Sequence, residues 1–143
     1  MMTLPQTPSF RVDGQRALVT GGSRGIGMGA AVALADAGAH VVIAARPSDD
    51  LDAVAASIRE RGCACEAVEL DVTDVERVAA VVEEQAPFDI LVNNAGLNRP
   101  GPMQDMTTDD FDAVMNINVR AAYFVAKAVV KKMLVQGQGG SII

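Results

Sequence analysis

Apolar positions along the chain alternate between two textures. Short unbroken runs (Ala17-Leu18-Val19, Val41 to Ala45, Ile90-Leu91-Val92) are separated by longer stretches in which apolar residues recur every three or four positions. Short unbroken runs suit strands buried on both faces, and the three-to-four spacing suits helices that bury one stripe. The pattern predicts strands at Arg16–Thr20, His40–Ala45, Cys65–Asp71 and Phe88–Asn93, with a fifth beginning in Gly139-Gly140-Ser141-Ile142-Ile143. A first helix is predicted from Gly25 to Ala37, ending at the Gly38 turn. A second starts at Pro47-Ser48 and runs through Arg61, with Leu51, Val54, Ala55 and Ile58 on its apolar face. Thr73-Asp74-Val75-Glu76 reads as a capping box opening a third helix, whose expected stripe is Val75, Val78, Ala79 and Val82 and whose stop is Pro87. After a loop from Asn94 to about Met106, Thr107 or Thr108 is expected to cap a long fourth helix ending near Met133.

Strands beginning near residues 16, 40, 65 and 88, each followed by an amphipathic helix, require parallel strands joined by right-handed crossovers. The expected architecture is α/β: a doubly wound parallel sheet occupying residues 15–143 as one domain, behind an N-terminal tail of residues 1–14. Composition agrees, because half of the chain is hydrophobic while only 3% is aromatic, so Val, Ala, Leu and Ile must build the core. A net charge of −6 argues against nucleic acid or an anionic membrane as partner. The most apolar stretch, Ala30 to Ala45, is interrupted by Asp36, Gly38 and His40 and reads as no membrane span, and the first fifteen residues carry no apolar run of the secretory kind. The expected location is the cytoplasm.

Chemistry concentrates at the carboxyl ends of the strands. After the first strand comes Gly21-Gly22-Ser23-Arg24-Gly25-Ile26-Gly27, a strand–turn–helix whose backbone N–H groups at the helix start suit a pyrophosphate. Ala45-Arg46 follow the second strand, Asp71-Val72 the third, and Asn93-Asn94-Ala95-Gly96 the fourth. In a doubly wound sheet these four ends share one rim, where ligands bind at the point of strand-order reversal. Independent loops have no reason to agree in this way, so the rim reads as a dinucleotide site.

The residues at that rim also carry a resemblance. Thr20-Gly21-Gly22-Ser23-Arg24-Gly25-Ile26-Gly27 is similar to the T-G-x-x-x-G-I-G turn of the classical short-chain dehydrogenase/reductase family, and Asn93-Asn94-Ala95-Gly96 to its N-N-A-G. Asp71-Val72 matches the family's acidic residue after the third strand, and Asn118, in Asn116-Ile117-Asn118-Val119, its catalytic asparagine on the fourth helix. The resemblance spans about Gln15 to Ile143. It implies a Rossmann-type fold and an oxidoreductase moving a hydride between a nicotinamide cofactor and a small alcohol or ketone. It further implies that Gly21, Ser23, Arg24, Gly25, Ile26 and Gly27 line the phosphates and adenosine ribose. Asp71 and Val72 would contact the adenine, and Asn94, Ala95 and Gly96 would pass beneath the cofactor. Ala45 stands where NAD-preferring members resemble one another in carrying an acid, and with Arg46 next to it and Arg24 in the turn the charge argument favours NADP over NAD. Homo-oligomers, dimers or tetramers, are expected by the same resemblance.

The family's serine and Y-x-x-x-K would lie beyond Ile143. Ser141 comes before the apolar strand residues, too early for that serine. Tyr123-Phe124-Val125-Ala126-Lys127 spells Y-x-x-x-K, but on a helix Tyr123 lies about 140° and Lys127 about 180° around from Asn118, so the three do not converge. The 143 residues alone are therefore expected to bind cofactor weakly if at all, to lack turnover, and to leave an apolar sheet edge for a C-terminal half to cover. Alternatives from other classes are a non-catalytic redox-sensing module and an inactive scaffold that completes another subunit's sheet. Cys63 and Cys65 lie two apart, poor geometry for a mutual disulfide, and with His40 as the single histidine no metal site is expected.

Overall fold

A computed structural model describes Met2 and residues 4–143. Five parallel strands, β1 (Arg16–Thr20), β2 (His40–Ala45), β3 (Cys65–Glu69), β4 (Ile90–Val92) and β5 (Ser141–Ile142), form one sheet in the order β3-β2-β1-β4-β5. The order reverses between β1 and β4, which places the switch point beside the glycine turn. Four helices cover the sheet: α1 (Gly25–Asp36), α2 (Asp49–Glu60), α3 (Val75–Glu84) and the 29-residue α4 (Thr108–Gln136).

Successive residues of a strand face opposite sides, so the apolar runs feed two cores. Ala17, Val19, Val41 and Ile43 pack with Ala31 and Ala35 of α1 and Leu51, Ala55 and Ile58 of α2. Leu18, Val42 and Leu91 pack with Val78, Val81 and Val82 of α3 and Val125, Val129 and Met133 of α4. Alanine and glycine on the buried face of α1 let that helix lie close to the strands. By length and composition α4 could cross a membrane; here its apolar stripe is laid along the sheet.

Several boundaries move from their expected places. β3 ends at Glu69 and not Asp71, and β4 is confined to Ile90–Val92, with Phe88 buried just ahead of it. Asp74, not Thr73, caps α3, its carboxylate accepting the Arg77 N–H at 3.0 Å. Val81 takes the place on the buried stripe expected for Ala79, which is exposed. Thr107 caps α4 through the Asp110 N–H. That helix ends at Gln136 rather than near Met133, and residues Asn116–Ala121 inside it form a π-turn. The tail is tied down at its end: the Val12 N–H donates to Ala37 and the His40 N–H to the Gln15 carbonyl.

Candidate functional site

The turn after β1 needs glycine for two separate reasons. Gly21 and Gly25 have φ of +66° and +56°, a region that side chains disfavour. Gly27 is needed for proximity: a Cβ there would sit 2.2 Å from the Gly21 carbonyl oxygen and 2.5 Å from Asn94 Nδ2. The absence of that atom lets the first turn of α1 rest on the loop below it. Arg24 precedes α1 in an extended conformation and provides no side-chain cap. The first N–H groups of the helix are thus left to another acceptor.

The loop after β4 is locked to the end of β1. The hydroxyl of the fully buried Thr20 accepts the N–H groups of Asn94 and Ala95, each at 3.0 Å. The Asn94 amide donates to the Thr20 carbonyl at 3.0 Å and to the Gly21 carbonyl at 3.3 Å. Asn93 turns the other way and donates to the Ala122 carbonyl of α4 at 2.6 Å. One strand end thereby positions both the glycine turn and α4.

The turn, the ends of β2 and β3 and the loop after β4 enclose a cleft of about 510 Å³. Of the residues expected at a cofactor site, Gly21, Ser23, Arg24, Arg46, Asp71, Val72, Asn94, Ala95 and Gly96 line it. Gly25, Ile26, Gly27 and Asn118 are not on its wall: Ile26 is 84% exposed at the outer side of α1, and Gly27 is buried behind the turn. Asn118 stands next to the wall. Its carboxamide accepts the Leu97 N–H and donates to the Leu97 carbonyl, both at 2.8 Å, and a Cβ on Gly96 would come within 3.1 Å of its oxygen. The π-turn around Asn118 widens the helix there.

Sequence reasoning missed several residues of this region, Leu70 and Ile117 of the cleft wall among them. Thr20 was legible only as part of the turn, because its latch function depends on β4 lying beside β1. Asp50, from the first turn of α2, also lines the cleft, so the ligand-facing charge includes a carboxylate besides Arg24 and Arg46. Thr73, expected as a helix cap, instead holds Asp71: its N–H and hydroxyl donate to the same carboxylate oxygen at 2.9 and 2.7 Å. The Thr73 hydroxyl, the Thr73 N–H and the charge of Arg46 together keep the Asp71 carboxyl below its usual range, against a smaller opposing effect of burial.

The groups judged inert lie elsewhere. Tyr123 is 66% exposed and stacks edge-on against Phe124, outside the cleft. His40 pairs with Glu66 at 2.6 Å and meets Arg16 at 3.2 Å at the opposite end of the strands. Cys63 and Cys65 are free thiols, and burial pushes the Cys65 thiol up to about 11.

The arrangement agrees with what the chain is similar to. A family model described as short chain dehydrogenase matches residues 15–143. Gluconate 5-dehydrogenase of Gluconobacter oxydans (strain 621H) is 40% identical over 134 residues, which is 91% of this chain and 52% of that protein. Sorbitol dehydrogenase of Cereibacter sphaeroides is 41% identical over 138 residues, 94% of this chain and 53% of that protein. The crystal structure of a gluconate 5-dehydrogenase from Burkholderia cenocepacia J2315 in complex with NADP and tartrate superposes with a TM-score of 0.86 at 38% identity, over 93% of this chain and 54% of that one. The chain spans about half the length of the relatives it matches. With its five-stranded parallel sheet, its glycine turn and the family model running from residue 15 to residue 143, the chain belongs to the short-chain dehydrogenase family.

Proposed function

We propose that this chain supplies the NADP(H)-binding part of an oxidoreductase that moves a hydride between the nicotinamide and a small polyhydroxylated alcohol or its ketone. The observation that carries the reading is the convergence of four strand ends on one cleft, with Arg24, which precedes the uncapped start of α1, on its wall. The residues present suit a dinucleotide phosphate. N–H groups at the start of α1 and the Ser23 hydroxyl would hold the pyrophosphate. Arg24 and Arg46 would hold the 2′-phosphate, bidentate pairing being the strength of guanidinium groups. Leu70, Val72 and Ile117 offer an apolar wall for the adenine. When bound, the cofactor supplies the hydride chemistry; the chain's own residues bind, orient and exclude water.

Asn118 would act next to the nicotinamide through the loop it holds at Leu97. The family resemblance assigns the general acid and base to residues outside these 143, and the one tyrosine present, Tyr123, does not line the cleft. The 143 residues alone are therefore read as binding without turnover. Relatives named for gluconate and sorbitol support a sugar-acid or polyol substrate class. An assembly through the outer face of α4 is supported by Val119, Tyr123, Leu134 and Val135, each at least 53% exposed. The cofactor assignment is tested by Arg46→Ala: it should erase most of the preference for NADPH over NADH, and an unchanged preference would remove Arg46 from the 2′-phosphate site.

A further inference from the structure

We propose that Thr73 is a positioning residue which aims the free oxygen of Asp71 at the exocyclic amine of an adenine ring; the proposal rests on the dinucleotide reading of the cleft, in which the resemblance already implies an Asp71–adenine contact, and adds the group that orients it. Thr73 donates twice, from N–H and from hydroxyl, to Asp71 Oδ1. No other group among the described residues hydrogen-bonds the second oxygen, Oδ2, and Asp71 lines the cleft beside Val72 and Leu70. Two donors on one oxygen fix the carboxylate's rotation, which a single bond from a flexible loop would not.

The helix does not account for the hydroxyl. Thr73 stands where a capping box would use it, yet Asp74 caps α3 through the Arg77 N–H. The hydroxyl turns back from the helix onto the cleft residue instead. An apolar wall with one acceptor-only oxygen at its edge fits a flat base that presents an amino donor there. Adenine does so; hypoxanthine, with a carbonyl in place of the amine, sets oxygen against oxygen.

The test is equilibrium binding of NADPH and of its hypoxanthine analogue to the chain and to Thr73→Val and Thr73→Ser. Valine keeps the shape and the backbone N–H but removes the hydroxyl. The wild-type chain should prefer the adenine form by about fivefold or more, the worth of one hydrogen bond to a placed acceptor. Thr73→Val should lose most of that preference while keeping its affinity for the hypoxanthine form, and Thr73→Ser should retain it. Affinity for the hypoxanthine form doubles as the folding control, and Thr73→Ala is read in the same way if valine is not tolerated. Equal weakening of both forms, or no preference in the wild type, overturns the positioning role while leaving the cofactor site standing. Failure of the wild type to bind either form overturns both.

Discussion

Asn94 is held to Thr20 by two hydrogen bonds, both donated by Asn94. The Thr20 hydroxyl accepts the Asn94 N–H, and the Asn94 side-chain amide donates to the Thr20 carbonyl, each at 3.0 Å. This pair joins the ends of the two strands that flank the switch point, and the glycine turn and the loop after β4 are placed relative to it.

Replacing Thr20 by valine keeps the volume and the β-branch but leaves the N–H groups of Asn94 and Ala95 without their acceptor. An unpaired buried donor costs about 1–3 kcal/mol, so Thr20→Val should lower the urea midpoint by that amount of stability, and Thr20→Ser by clearly less. Equal stability of wild type and Thr20→Val would show that the latch does not hold the loop.

Two glycines of α1, two residues apart, should respond with opposite sign. Gly27→Ala places a methyl group 2.2 Å from the Gly21 carbonyl oxygen, and relief requires α1 to retreat from the turn. The expected cost is about 1–3 kcal/mol, together with loss of NADPH affinity. Gly29→Ala meets no atom within 4 Å and should stabilise the helix by about 0.5–1 kcal/mol. Thermal unfolding of the two variants reads both signs.

Acid should weaken the fold partly through Asp71. Its folded-state pKa lies below the unfolded one, so its contribution is present above about pH 4 and fades as pH falls through the lowered folded value. Removing the Thr73 hydroxyl takes away the first of the causes, so Thr73→Val should shrink this acid-dependent component. Carboxyl chemical shifts followed by NMR should show the Asp71 titration moving to higher pH in that variant; no movement would separate Thr73 from Asp71.

What was legible in the sequence is what depends on local pattern. Unbroken apolar runs at 17–19 and 41–45 can be little else than strands buried on both faces, and Ser48 caps α2 through the Leu51 N–H as its position suggests. The expected strand starts at Arg16, His40 and Cys65 stand as drawn. The features that escaped depend on neighbours distant in sequence. The π-turn at Asn116–Ala121 sits where α4 meets the loop after β4, whose groups Asn93 and Leu97 engage Ala122 and Asn118. Asp50 reaches the cleft only because α2 folds back beside the β2 end. Thr73 and Asp74 compete for one helix start, and the capping-box spacing of Thr73 and Glu76 points to the threonine; in the structure Asp74 takes the cap and the Thr73 hydroxyl donates to Asp71 instead.

The central claim is that this cleft holds NADP(H), and calorimetric titration of the 143-residue chain with NADPH and with NADH tests it most directly. The account expects saturable binding of one NADPH per chain, weak but measurable because the walls for the adenosine phosphate half all lie within residues 21–117, with NADH weaker. No binding at millimolar NADPH, or tighter binding of NADH, would contradict it.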